Sequence, residues 1–343
     1  MKAAILGATG LVGQRFVELL KDHEWFKITS LTGSERSAGA VYRDAVNWRM
    51  DTGLKQSIAE LTVQPTDPKR VDADIVFSAL PAEEALKVEE DFAREGFAVV
   101  SNASAHRLDS DVPLMNPEAN FGHLALIDQQ RRKRKWDGAI VTNPNCTTAV
   151  LTLSLKPIAT QFGLSNVVMS SMQAASGAGY PGVASLDMID NVIPFINGEE
   201  EKVQQETQKI LGDPGNSAVF KVSASCHRVP VIDGHTEAVF VQTEKPASTD
   251  DIARCMEGFT AEPQKLKLPT APERPIVVKT EQDRPQPRFD RSEGHGMSVV
   301  VGRIRRDPVF SGVKYVALGH NTIRGAAGCA VLIAESMKSQ GYI

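Results

Sequence analysis

The sequence predicts an α/β protein: an N-terminal doubly wound parallel sheet, then an α+β domain on a mixed or antiparallel sheet. Three observations carry this. The chain starts with an apolar run, a glycine-spaced loop and an amphipathic segment. Short apolar runs then alternate with helical patterns up to about residue 145, the arrangement that makes parallel sheets. Beyond that point strand-like runs follow one another with few helices between them, which suits antiparallel pairing.

Residues 2–6 are the first strand candidate. Residues 14–21 place Phe16, Val17, Leu19 and Leu20 at helical spacing for packing on a sheet. Further strands are expected at 28–32, 75–78, 98–101 and 139–142, with a helix at 82–95. After a helix-like 149–158 come strands at 167–172, 218–222, 237–243, 276–279, 297–304 and 313–318, with helices at 184–189 and 199–211. Six prolines in residues 263–287 exclude a long helix and predict an extended edge or connecting arm. The alanine-rich segment 325–338 reads as a helix returning to the first domain. The expected division is a nucleotide-binding domain over 1–145, a catalytic and dimerisation domain over 146–320, and a returning helix in 321–343.

Bulk properties narrow the function. A chain of 343 residues with 42% apolar and 23% charged residues has room for two buried cores and is not disordered. A net charge of −4 supplies no basic field for nucleic acid, and no apolar run approaches the ~20 residues of a membrane span. Cys146, Cys226, Cys255 and Cys329 are scattered without metal-ligand spacing, so no metal is expected, and free thiols in a reducing cytoplasm are. The basic run Arg131-Arg132-Lys133-Arg134-Lys135 follows a helical stretch and is read as a solvated helix end.

Gly7, Gly10 and Gly13 form the G-x-x-G-x-x-G variant of the dinucleotide fingerprint. Small residues let the backbone of Gly7, Thr9, Gly10, Leu11, Val12 and Gly13 approach a pyrophosphate at a helix N-terminus. The same spacing could be a plain tight turn, but a strand before it and a helix after it favour nucleotide binding in a Rossmann-type domain. In Thr32–Gly39, Glu35 could take a ribose hydroxyl, whereas Ser34, Arg36 and Ser37 could hold a 2′-phosphate; three convergent donors favour NADP.

Cys146 lies between Asn145 and Thr147, after a strand candidate and before a helical pattern. A thiol at a helix N-terminus is acidified by the dipole and free amides, as a nucleophile requires. A lone cysteine is more often a small core residue, yet these neighbours are polar. Arg228 and His235, seven residues apart, could present a cation and a proton-transfer group on one strand edge. An ordinary charged surface loop is the plain alternative.

Together the motifs go further. Gly7 through Gly13, Asn143-Pro144-Asn145-Cys146-Thr147-Thr148, Gln173-Ala174-Ala175-Ser176-Gly177-Ala178-Gly179-Tyr180, Arg228 through His235, and Asn321 through Gly328 stand in order over essentially the whole chain. They resemble the aspartate-semialdehyde dehydrogenase family, most of all its archaeal-type branch. The resemblance implies that Cys146 attacks the acyl carbon of L-4-aspartyl phosphate, that His235 handles the protons and that Gln173 orients the acyl group. It further implies that Arg228 binds the α-carboxylate and Glu199 the ammonium, with Asn145 also at the substrate. Lys202 and Arg107 would hold phosphate. Ser176, Gly177, Pro194 and Asn321 would contact NADP. A thioester reduced to an aldehyde would then feed lysine, threonine and methionine synthesis, in a homodimer or homotetramer. Cys226 and His227, beside Arg228, are not the implied pair. The alternatives are a malonyl-CoA reductase, an N-acetyl-glutamyl-phosphate reductase and a non-catalytic NADP-sensing protein.

Overall fold

In the computed structural model, which describes residues 1–343, six segments form one parallel sheet. They are β1 (Lys2–Leu6), β2 (Lys27–Gly33), β3 (Val63–Pro65), β4 (Ile75–Ser78), β5 (Ala98–Ser101) and β6 (Ala139–Thr142), in the order β3-β2-β1-β4-β5-β6. Every residue of β4, β5 and β6 is buried, the expected state of strands covered on both faces. Helices α1 (Leu11–Leu20), α2 (Ala82–Arg94) and α3 (Leu126–Arg134) connect the strands. On α1, Phe16 meets Phe77 of β4 with ring centroids 5.2 Å apart. Strand order reverses at β1, which lies between β2 and β4, so the glycine loop after β1 sits at the topological switch point where such sheets bind ligands. β3 had no signal in the sequence, being three residues long and ending in proline.

The second sheet contains β7 (Asn166–Gln173), β8 (Lys221–Arg228), β9 (His235–Gln242), β10 (Ile276–Val278), β11 (Val299–Asp307) and β12 (Gly312–Gly319), in the order β10-β11-β12-β9-β7-β8. β7 and β8 run parallel, as do β10 and β11; the other neighbours are antiparallel, so the sheet is mixed. β7 and β9 alternate strictly between buried and half-buried positions. Their buried face joins α4 (Cys146–Phe162) and α5 (Glu199–Leu211) in one core that includes Leu151, Leu155, Val167, Met169, Val203, Val239 and Val241. The proline-rich arm supplies β10, three residues at the sheet edge. Two expectations shift: the strand placed at 218–222 runs over Lys221–Arg228, and the helix placed at 184–189 is a single turn, Ser185–Met188.

By their contacts the residues fall into two units, one made of Met1–Met115, Gly122–Asn143 and Ala326–Ile343, the other of Asn116–Phe121 and Pro144–Gly325. The first includes α7 (Gly328–Ser339), and the second includes α6 (Thr249–Glu257). Asn116–Phe121 leaves the expected first domain because Asn116 Nδ2 donates to Ala149 O and Thr152 Oγ1, both at 2.9 Å. The basic run ends α3, where Arg134 binds Asp111 and Asp109. That hydrogen bond from Arg134 is the main reason the Asp111 carboxyl is held down at about 2.

Candidate active site

In the first unit the glycine loop is shaped by side chains that are absent. Gly7 has φ +71°, and a Cβ on Gly13 would lie 2.2 Å from Gly7 O, so α1 can start this close to β1 only with glycine there. Gly10 caps α1 without a side-chain hydrogen bond, which leaves the first-turn amides of Leu11 and Val12 for an anion. The loop is braced from outside: Tyr42 Oη donates to Ala8 O at 2.8 Å, and Gln14 Nε2 donates to Thr9 O at 3.0 Å. After β2, Ser34, Glu35 and Arg36 are exposed, whereas Ser37 is buried and its hydroxyl donates to Ser34 O at 3.0 Å. Ser37 therefore shapes this loop, and Ser34 and Arg36 face solvent. Beyond β5, the buried Arg107 donates to Asn102 O at 2.8 Å, and Asn143 Nδ2 donates to Asn102 Oδ1 at 2.9 Å.

In the second unit the site is made of side chains holding one another. Asn145 caps α4, its Oδ1 accepting from the amides of Thr147 and Thr148 at 2.9 and 3.3 Å. Cys146 is thus the first residue of the helix, and it is the one cysteine of the four that is not buried. Burial pushes the Cys226 and Cys255 thiols up to about 12 and about 11. The other face of Asn145 is committed too: Nδ2 donates to both oxygens of Glu199 at 2.9 Å, and its backbone N–H donates to Glu206 at 2.6 Å. Gln173 Nε2 also donates to Glu199, at 2.9 Å, and Thr147 Oγ1 does so at 3.4 Å.

His235 Nε2 lies 3.1 Å from Cys146 Sγ. On the far side of the ring the backbone N–H of Ala174 donates to Nδ1 at 3.1 Å. An amide can only donate, so the neutral ring carries its hydrogen on Nε2, aimed at the sulfur. A protonated ring would turn a second N–H against the Ala174 amide. Burial, then the charges of Arg228 and His320, lower the His235 pKa to about 3. The pair is therefore a sulfur accepting from a neutral imidazole.

Arg228 ends β8 and His235 starts β9, with β7 between these strands. The single strand edge expected for the two is corrected to two strands joined by a turn through Gly234, φ +103°, and Gln173 of β7 sits in register with Arg228. Arg228 Nη1 donates to Ala174 O at 2.8 Å, so one residue positions both the guanidinium and the imidazole. A Cβ on Gly177 would lie 2.7 Å from Arg228 Nη1 and 3.2 Å from His235 Nε2, so that backbone covers both. Asn321 Nδ2 donates to Ser176 Oγ at 2.7 Å and its Oδ1 accepts from Gly234 N at 2.8 Å. Lys202 is half-buried one turn along α5 from Glu199, and the exposed Pro194 follows Ile193, whose backbone pairs with that of Arg228.

Four residues had no role assigned from the sequence: Ala174 and Gly325, which stand in the quoted motifs, and Glu206 and Glu237, which stand in none. Of the last two only Glu206 left a signal, a charge on the buried face of α5 two turns after Glu199. Glu237, one rung below His235 on the same face of β9, is fully buried, and burial pushes its pKa well up.

Two family models match the chain: "Semialdehyde dehydrogenase, NAD binding domain" over residues 2–127 and "Semialdehyde dehydrogenase, dimerisation domain" over residues 155–324. An aspartate-semialdehyde dehydrogenase of Archaeoglobus fulgidus is 55% identical, covering 99% of this chain and 98% of its own. A malonyl CoA reductase (NADP) of Metallosphaera sedula is 46% identical over 100% of this chain and 98% of its own. The crystal structure of the aspartate semialdehyde dehydrogenase of Candida albicans with NADP superposes at TM-score 0.92, with 41% identity, covering 100% of this chain and 99% of that one.

Proposed function

The chain belongs to the semialdehyde dehydrogenase family, and from that premise we propose that it reduces L-4-aspartyl phosphate to L-aspartate 4-semialdehyde with NADPH. The observation that carries this reading is Cys146 at the N-terminus of α4, 3.1 Å from an imidazole nitrogen, with the residue before it bonded to the buried Glu199. Glu199 suits an ammonium group, and the planar fork of Arg228 suits a carboxylate. Together they select an amino acid.

The Cys146 thiolate, supported by the helix N-terminus and by the His235 Nε2–H, attacks the acyl carbon. A C–S bond forms, the C–O bond to phosphate breaks with its electron pair leaving on oxygen, and Gln173 steadies the acyl group. Lys202 and Arg107 receive the phosphate, which also takes up the one proton that the reaction consumes. NADPH, when bound, supplies a hydride to the thioester carbon. The resulting thiohemiacetal oxyanion reforms its carbonyl, and the sulfur leaves again as thiolate beside the same Nε2–H. No step requires His235 to become charged.

The glycine-loop residues Gly7 through Gly13 are assigned to the dinucleotide pyrophosphate, on the strength of the space that Gly13 leaves against Gly7 O. Ser34 and Arg36 take the 2′-phosphate, Ser37 shapes their loop, and Ser176, Gly177, Pro194 and Asn321 lie at the nicotinamide end. A homodimer or homotetramer forms through the second sheet, whose half-buried outward face on β7 and β9 carries the apolar Val168, Met172, Ala238 and Phe240 among polar neighbours. Free thiols, and the lack of any helix long and apolar enough to cross a membrane, support a cytoplasmic location.

The 46% identity to a malonyl CoA reductase favours one second reading, an acyl-CoA substrate. A single assay decides between them. Loss of NADPH absorbance with aspartyl phosphate, absent in Cys146→Ala although that variant still binds NADPH, supports the proposal. Turnover of malonyl-CoA with none of aspartyl phosphate replaces it.

A further inference from the structure

We propose that residues 320–325, clamped by the buried ion pair Arg324–Glu118, form a strap that sets the position of Cys146 relative to His235, with the Gly325 backbone as the rear wall of the nucleophile. This rests on the reading of Cys146 as the reactive thiol. Cys146 and His235 belong to different elements, and a 3.1 Å contact between them needs something that touches both.

The strap does so. A Cβ on Gly325 would lie 2.7 Å from Cys146 Cβ, 2.8 Å from Cys146 Cα and 3.1 Å from Cys146 O. Glycine is needed here for space, since any side chain would push the cysteine forward. At the other end, Asn321 Oδ1 holds the amide of Gly234, the residue before His235, at 2.8 Å. Between these ends the strap is closed on itself, the amides of Ile323 and Gly325 both donating to His320 O at 3.3 and 3.1 Å.

The anchor is Arg324, a guanidinium with no exposed surface. Its Nη1 donates to Glu118 Oε2 at 3.0 Å, and Nη2 stands 2.5 Å from Oε1. Glu118 lies on the short helix Pro117–Asn120, whose preceding residue Asn116 is bonded to Ala149 O and Thr152 Oγ1 on α4. The circuit runs from the first two turns of the nucleophile's own helix, through Asn116 and the ion pair, to the backbone behind the thiol. A buried ion pair is a poor way to gain stability, because two apolar residues of similar size often do as well or better. Its value here is directional: one charge-assisted hydrogen bond, backed by a second close charge contact between groups with no exposed surface, fixes where the strap lies. Arg324 and Glu118 are therefore positioning residues for the thiol.

The test reads the thiol directly, without substrate: the pH-dependent rate of Cys146 alkylation by iodoacetamide in the full chain, with the labelled peptide identified, alongside kcat, KM and Tm. Three variants are compared, Gly325→Ala, Arg324→Lys and the paired replacement Glu118→Leu with Arg324→Leu. We expect alkylation at least tenfold slower, or an ionisation limb moved at least one pH unit upward, in Gly325→Ala and in the paired variant. The expected kcat loss is tenfold to a hundredfold, with KM for aspartyl phosphate changed less than threefold. Arg324→Lys falls between these and the wild type. The paired variant keeps a Tm near that of the wild type, which separates positioning from folding and keeps the test decisive if Gly325→Ala does not fold. A paired variant with wild-type alkylation and kcat overturns the strap. If the wild-type label falls on a cysteine other than Cys146, the nucleophile assignment itself fails, which is a distinguishable result.

Discussion

The two units build their ligand-handling surfaces by opposite means. In the first, the glycine loop works because side chains are missing, and the groups it offers are backbone amides at the start of α1. In the second, the polar side chains around Cys146 are each held by another buried group: Asn145 by Glu199, Glu199 by Gln173, and His235 and Arg228 by the backbone N–H and C=O of Ala174. A loop of the first kind tolerates changes next to it and fails when a Cβ is added. A network of the second kind fails when any one member is cut, because its partners are buried and left unpaired.

The largest effect separating the two is expected at His235. His235→Ala removes the one N–H aimed at the sulfur and should lower kcat on the order of 10²–10³-fold, as loss of a single preorganised donor does, with NADPH affinity unchanged in a fluorescence titration. The pH dependence carries the sharper signal. With its pKa lowered to about 3, His235 stays neutral through the working range, so kcat/KM should rise with pH along one limb belonging to the Cys146 thiol, and that limb should move upward in the variant. Stability follows the same shift. The unfolded histidine titrates near about 6.5 and the folded one near 3, so the unfolded chain binds the extra proton between them. Stability is fully present above about 6.5 and falls toward pH 3, with a slope of up to about 1.4 kcal/mol per pH unit that His235→Ala should lack. A wild-type rate limb that follows histidine, and not the thiol, would break the contrast.

An intermediate effect divides two glycines of one loop. Gly13→Ala puts a Cβ 2.2 Å from Gly7 O and should cost about 1–3 kcal/mol of stability as overpacking does, with NADPH affinity falling tenfold or more. At Gly10 a Cβ would meet Gly7 O at 3.5 Å, an ordinary contact. Gly10→Ala should keep its Tm and lose only affinity. Equal Tm losses in the two would mean that the loop is a packing device and not a cradle.

The smallest effect is at Arg36, which is exposed and so acts through water. Arg36→Ala should raise KM for NADPH about threefold to tenfold and leave KM for NADH unchanged. If both rise together, the 2′-phosphate assignment is wrong.

The same contrast explains what the sequence disclosed. Parallel strands read as short apolar runs, and the glycine spacing is local, so the first sheet and its loop were legible residue by residue, apart from the three-residue β3. In the second unit Cys146, Gln173, Glu199, Arg228 and His235 are far apart in sequence, and only ordered motifs could group them. Arg228 and His235 looked like one strand edge because seven residues can span an extended segment; Pro230 and the pair Asp233-Gly234 between them mark a turn, which spacing alone does not weigh. Ala174 was illegible for another reason. It acts through its N–H and C=O, which every residue has, and only the fold shows where they point.

The first unit is assembled from three stretches of chain, and the last, Ala326–Ile343, brings α7, buried from Gly328 through Met337 and packed on β5 and α1. Its Glu335 meets His23 at 2.8 Å, near the other end of the polypeptide. During synthesis the whole of Pro144–Gly325 is made before that helix exists. At roughly 5–20 residues per second, the parallel sheet stands for about ten to forty seconds with an apolar flank uncovered. The newborn chain therefore passes through a stage in which its nucleotide-binding half is incomplete while most of the other half is already available to fold. A message cut short before Ala326 would make that stage permanent, leaving a product with an open hydrophobic flank for chaperones and proteases to find.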